Sequence, residues 1–171
     1  IDVDELRGQQ EMQDINGMAI RTHTRAIAIA NRVGEGEAKN GTAVDEERLR
    51  NLVDHCIELG VHGVVPCGTT GEFVNLTDEE KKRVIKIVVD EVNGRVPVIA
   101  GTGASGTDEA VEMTKYAKDV GATAALIVTP FYLKPADRGI YEHYYTIANE
   151  VDLPIILYNI PQCTGLALPW Q

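Results

Sequence analysis

Beyond Val44 the chain repeats one theme: a short unbroken apolar run, a loop rich in Gly and Thr, then a segment of helical periodicity. The apolar runs do not alternate with polar residues. An unbroken run suits a strand covered on both faces, as in a parallel sheet. The units recur about every 30 residues, the size of a βα repeat. Regular β-loop-α units predict a (β/α) barrel or a doubly wound sheet.

Predicted strands fall at 61–67, 96–100, 124–129 and 154–158. The helices between them carry their own punctuation. Asp45 caps a helix whose inner face is Leu49, Leu52, Val53, Cys56 and Ile57, and Gly60 stops it. Thr77 and Glu80 form a capping box, followed by the stripe Val84, Ile85, Val88, Val89 and Val92. Thr107 is expected to cap a helix lined by Ala110, Val111, Thr114, Ala117 and Val120, which Gly121 stops. A further helix is expected from about Gly139 to Glu150. Residues 1–40 form an atypical N-terminal segment ahead of a partial barrel domain at 41–171. Within that segment the run 26–30 reads equally as a strand or a helix turn.

The length of 171 residues suits one domain. A net charge of −10 argues against a nucleic acid or an anionic membrane as partner. The three cysteines, Cys56, Cys67 and Cys163, are odd in number and widely spaced, which fits a reducing compartment. No apolar run reaches the roughly 18 residues of a membrane span, and the acidic first residues lack a signal-peptide pattern. A soluble, cytoplasmic protein is expected.

The run 61–67 opens onto Gly68-Thr69-Thr70-Gly71-Glu72. In parallel α/β folds the loops after strand C-termini build the active site. Two glycines would let the backbone turn sharply. Two hydroxyls with loop N–H groups can hold a carboxylate, though the segment also reads as a plain tight turn. Gly101-Thr102-Gly103-Ala104-Ser105-Gly106 matches a dinucleotide-binding fingerprint. No carboxylate ends the next strand, so a βα loop on the same face is the better reading.

Three loop motifs occur in order: Gly68-Thr69-Thr70-Gly71-Glu72, Thr129-Pro130-Phe131-Tyr132, and Tyr158-Asn159-Ile160-Pro161 with Thr164-Gly165. Between the first two stands Pro97-Val98-Ile99-Ala100-Gly101-Thr102-Gly103. Together they resemble the dihydrodipicolinate synthase / N-acetylneuraminate lyase family, from about residue 41 to the end. The resemblance implies a TIM barrel, here an incomplete one of roughly its first five βα units. It also implies a lysine Schiff base with pyruvate or another 2-keto acid, an aldehyde as second partner, and a homo-oligomer, dimer or tetramer. By the same resemblance Gly68, Thr69 and Thr70 sit at the keto-acid carboxylate. Tyr158 is the proton-transfer phenol, and Thr69 links it to Tyr132 from a neighbouring subunit. No cofactor and no metal is expected.

The chain departs from that family in three places. The imine-forming lysine belongs to the strand after the Tyr-Asn-Ile-Pro strand, and the sequence ends at Gln171 before it. Lys134 lies in a site-side loop but reads as a surface residue. A barrel takes around 250 residues, so a truncated member is expected. Nothing in residues 1–40 matches the family's opening strand. Cys163 stands where the family's synthases carry an arginine, and a thiol offers neither the charge nor the fork of a guanidinium. That favours a 2-keto-3-deoxy sugar-acid aldolase over a 4-hydroxy-tetrahydrodipicolinate synthase. A non-catalytic half-barrel that self-assembles or binds a partner is the alternative.

Overall fold

The computed structural model describes residues 44–168 and the backbone of three short strands before them. Those strands are β1 (Met12–Gln13), β2 (Ala19–Ile20) and β3 (Ala26–Ala28). The rest of the expected 1–40 segment lies outside the described residues. β1 and β2 form an antiparallel pair. The run at 26–30, open between strand and helix in the sequence, supplies a strand: β3 runs parallel to β4 (Gly63–Val65), with Ala26 opposite Gly63.

From there helix and strand alternate. Helix α1 (Glu46–Glu58) starts at Asp45, whose carboxylate accepts from the Arg48 N–H at 3.0 Å. After β4 comes a 3-10 turn at Phe73–Asn75, then α2 (Asp78–Val92). The capping box is present: Thr77 Oγ1 accepts from the Glu80 N–H, and Glu80 accepts from the Thr77 N–H at 2.8 Å. Asn93 ends α2 in the left-handed region at φ 45°. Strand β5 (Ile99–Gly101), α3 (Thr107–Asp119), β6 (Ala124–Val128), α4 (Asp137–Glu150), β7 (Ile155–Tyr158) and the short α5 (Pro161–Thr164) complete the order.

The strands are shorter than or offset from the expected runs by one to three residues at their ends, and two helix starts differ from expectation for a physical reason. Gly106, not Thr107, is the N-cap of α3, because the Thr107 hydroxyl is engaged by His143 of α4 at 2.9 Å. Helix α4 begins at Asp137, ahead of Gly139, with Ala136 accepting the first backbone bonds.

Every strand pairing from β3 onward is parallel. A bridge between Val64 and Val98 joins the β3-β4 pair to the β5-β6-β7 sheet. Spatial order therefore follows chain order without reversal. A doubly wound sheet reverses at a switch point; a barrel wall does not. These five parallel strands make an incomplete TIM-type barrel.

The helices cover the outside of this wall. Val53 of α1 and Val84, Ile85 and Val88 of α2 pack with Val64 and Val98 in one apolar cluster. Ile127 of β6, Ile147 of α4 and Ala110 of α3 anchor a second. Full burial of a Val or Ile side chain contributes about 1.5–3 kcal/mol, so these rows hold the strand ends in register.

Candidate active site at the strand C-termini

A pocket opens at the C-terminal ends of β4, β5, β6 and β7. Its lining includes Cys67, Thr69, Phe73, Val128 and Tyr158, with Gly68, Gly101, Gly103 and Leu126. Thr69 and Tyr158 come from segments nearly ninety residues apart, and parallel topology delivers both to one rim. They are the two hydroxyl-bearing residues of a lining that is otherwise glycine, Cys67 and apolar side chains, and pockets of this kind orient small ligands by few polar contacts.

The turn into the first loop is built differently from the sequence expectation. Its left-handed residues are Cys67 at φ 57° and Glu72 at φ 53°, not Gly68 or Gly71. Non-glycine residues there carry a conformational cost. The Cys67 thiol, 3.7 Å from the Lys81 carbonyl, helps hold that conformation. Burial pushes the thiol's pKa up to about 12 against a small opposing pull from Lys81. Cys67 is therefore a neutral wall of the pocket and not a nucleophile. The Glu72 N–H donates to the Thr69 carbonyl at 3.0 Å, closing the loop.

Glycines 101 and 103 of the G-x-G-x-x-G run are consumed by packing. A Cβ on Gly101 would stand 2.1 Å from the Cys67 carbonyl oxygen; one on Gly103 would stand 2.7 Å from Val128 Cγ1. Both glycines let neighbouring strands close at the pocket floor. Thr102 between them is buried, with its hydroxyl 2.9 Å from that of Thr114.

The remaining expected site residues are placed as follows. Gly68 is buried in the pocket wall, and Thr70 is exposed outside the lining. Tyr132 lies off the pocket, 93% exposed, with its backbone at φ 72°. Cys163 is exposed on α5, and Lys134 is exposed in the loop before α4. Sequence reasoning missed Phe73, whose ring meets Phe131 edge to face at a centroid separation of 5.9 Å. That contact ties the loop after β4 to the loop after β6; the motif Thr129-Pro130-Phe131-Tyr132 held the signal. Among the described residues no helix is long and apolar enough to cross a membrane, and no acid, His or Cys cluster is suited to a metal.

Known proteins share this fold. The 4-hydroxy-tetrahydrodipicolinate synthase of Geotalea uraniireducens is 58% identical over 130 residues, covering 76% of this chain and 44% of that protein. That of Citrifermentans bemidjiense is 56% identical with the same coverage. The chain thus spans less than half the length of these relatives. Among solved structures, a chloride-inhibited dihydrodipicolinate synthase from Acinetobacter baumannii, complexed with pyruvate, superposes with TM-score 0.79 and 48% identity. The match covers 85% of this chain and 48% of that one. The Aquifex aeolicus dihydrodipicolinate synthase gives TM-score 0.78 at 46% identity, with 85% and 47% covered. A model of the dihydrodipicolinate synthetase family matches residues 38–171. The chain belongs to the dihydrodipicolinate synthetase family.

Proposed function

We propose that this chain carries the acid-holding and proton-transferring part of a Schiff-base lyase or synthase site for pyruvate-type 2-keto acids. The observation that supports it is the meeting of Thr69 and Tyr158 in one pocket. Thr69, with Gly68 and Thr70 on the same loop, receives the keto-acid carboxylate. The Tyr158 phenol moves the proton during imine formation and carbon–carbon bond making. Among the described residues no lysine lines the pocket, so the amine that forms the imine comes from outside this lining. The relatives' names favour the 4-hydroxy-tetrahydrodipicolinate synthase reaction, and the resemblance implies an aldehyde as second substrate. Cys163 points instead to a 2-keto-3-deoxy sugar-acid aldolase.

Tyr132 completes the relay in a neighbouring subunit. Its near-total exposure and left-handed backbone suit a side chain presented outward, and strained residues of this kind concentrate at functional sites. A homo-oligomer follows from that role.

Borohydride reduction in the presence of pyruvate tests the reading. A protein extended past Gln171 to the length of its relatives gains a covalent pyruvate adduct on a lysine outside residues 1–171. The 171-residue chain gains none. An adduct on Lys134, or none on the extended protein, contradicts the proposal.

A second reading is a non-catalytic half-barrel that assembles with itself. It is favoured by β7, which hydrogen-bonds with β6 alone among the described strands and has β1 in contact with it without strand pairing. An unpaired edge recruits other strands. Light scattering decides: a monomer of 18.6 kDa refutes it.

A further inference from the structure

Among the described strands the parallel wall is open at both ends. It runs β3-β4-β5-β6-β7, so β3 and β7 each keep one side without a strand partner there. On β7 the direction of the free groups follows from two bonds. The Ala125 and Thr129 N–H groups donate to the Pro154 and Tyr158 carbonyls. Direction alternates along a strand, so Ile156 also faces β6, and Ile155 and Leu157 turn their backbone groups to the open side.

β1 lies in contact with β7, although its own ladder is with β2, Met12 opposite Ile20 and Gln13 opposite Ala19. The sequence between these two strands contains Asn16-Gly17, the pair most favoured at a hairpin turn. Glu11 and Asp14 flank β1 in the sequence, and charge beside an edge strand discourages a further strand. Residues 12–28 therefore reach both ends of the wall, β1 at β7 and β3 beside β4. Residues 21–25 connect β2 to β3, and a connection of that length spans about 20 Å at most. Five strands laid flat would hold the outer two about 19 Å apart, and curvature of the wall shortens that gap. The connection is long enough to cross the open side. The hairpin also precedes the stretch that matches the family, residues 38–171.

We propose that the β1-β2 hairpin is a built-in cover for the open edge of β7, closing the incomplete wall within a single chain. The partner of that edge is thus residues 12–20 of the same molecule. This does not rest on the keto-acid reading. It also differs from self-assembly through β7, because a covered edge does not recruit a second copy. Removing the hairpin's pairing should uncover Ile155 and Leu157 and leave the β6 side of the strand as it was.

The test uses the 171-residue chain and Ala19→Pro, which removes a backbone donor from β2 opposite Gln13. Amide hydrogen exchange at Ile155 and Leu157 should speed up by about tenfold in the variant, with Ala100 of β5 unchanged. Light scattering should show larger species for the variant than for wild type. Equal exchange at Ile155 and Leu157 in the two proteins, or equal mass, overturns the proposal. A second measurement needs no variant. In a mixture of isotope-labelled and unlabelled wild-type chain, backbone NOEs between residues 12–13 and 155–158 should arise within one molecule. NOEs that pass only between molecules, or none, overturn the proposal whether or not Ala19→Pro folds.

Discussion

Thr107 Oγ1 and His143 Nδ1 lie 2.9 Å apart where α3 meets α4, and the imidazole is buried. Thr107 follows the 101–106 loop directly, so this bond ties α4 to a wall of the pocket. His143 Nε2 has no partner among the described residues. Burial lowers the His143 pKa below its ordinary value. As pH falls through about 6.5, the unfolded chain takes up the proton before the folded one does. The stability this group contributes is present above about pH 6.5 and is lost progressively below it. Urea unfolding at pH 7.5 and 5.5 should show a drop that His143→Gln reduces. An equal pH slope in wild type and variant would refute the assignment.

Gly101→Ala should be severely destabilising, by about 3 kcal/mol or more, because its Cβ meets backbone at the Cys67 carbonyl. Gly106→Ala meets nothing within 4 Å and should cost about 1 kcal/mol or less. Thermal melts of the two variants check this. Equal effects would return the fingerprint glycines to a loop role.

Thr114 donates to the Ala110 carbonyl at 2.7 Å and its hydroxyl oxygen lies 2.9 Å from Thr102 Oγ1 in the core, where it can accept from Thr102. Thr114→Val removes the hydroxyl that satisfies Thr102, and should cost about 1–3 kcal/mol. Thr102→Val leaves Thr114 bonded to Ala110 and should cost less. Denaturant midpoints that reverse this order would contradict the network.

Tyr132→Gly should stabilise the 171-residue chain by about 1 kcal/mol, since an exposed side chain held at φ 72° contributes strain and little packing. A stability loss in urea would show that the phenol has a partner within its own chain. In an extended, oligomeric protein the same substitution should lower turnover.

The parts legible in the sequence were those set by neighbours a few residues apart. The Thr77–Glu80 box and the Asp45 cap need only local spacing. The shared rim of Thr69 and Tyr158 was legible as well, since parallel strands send their C-terminal loops the same way. The Thr107–His143 bond was not, because it joins positions 36 apart across a helix pair. The left-handed Cys67 was hidden because glycines on either side of the threonines offered the easier turn. Lys134 was legible as a surface residue from its polar loop, and it is exposed there.

The most direct test is a pyruvate titration of the 171-residue chain, followed at individual backbone amides, in wild type and Thr69→Val. The Thr69 and Tyr158 amides should move together along one saturation curve, and Thr69→Val should weaken both. Shifts confined to one of the two, or pyruvate binding that Thr69→Val leaves untouched, would contradict a shared keto-acid site.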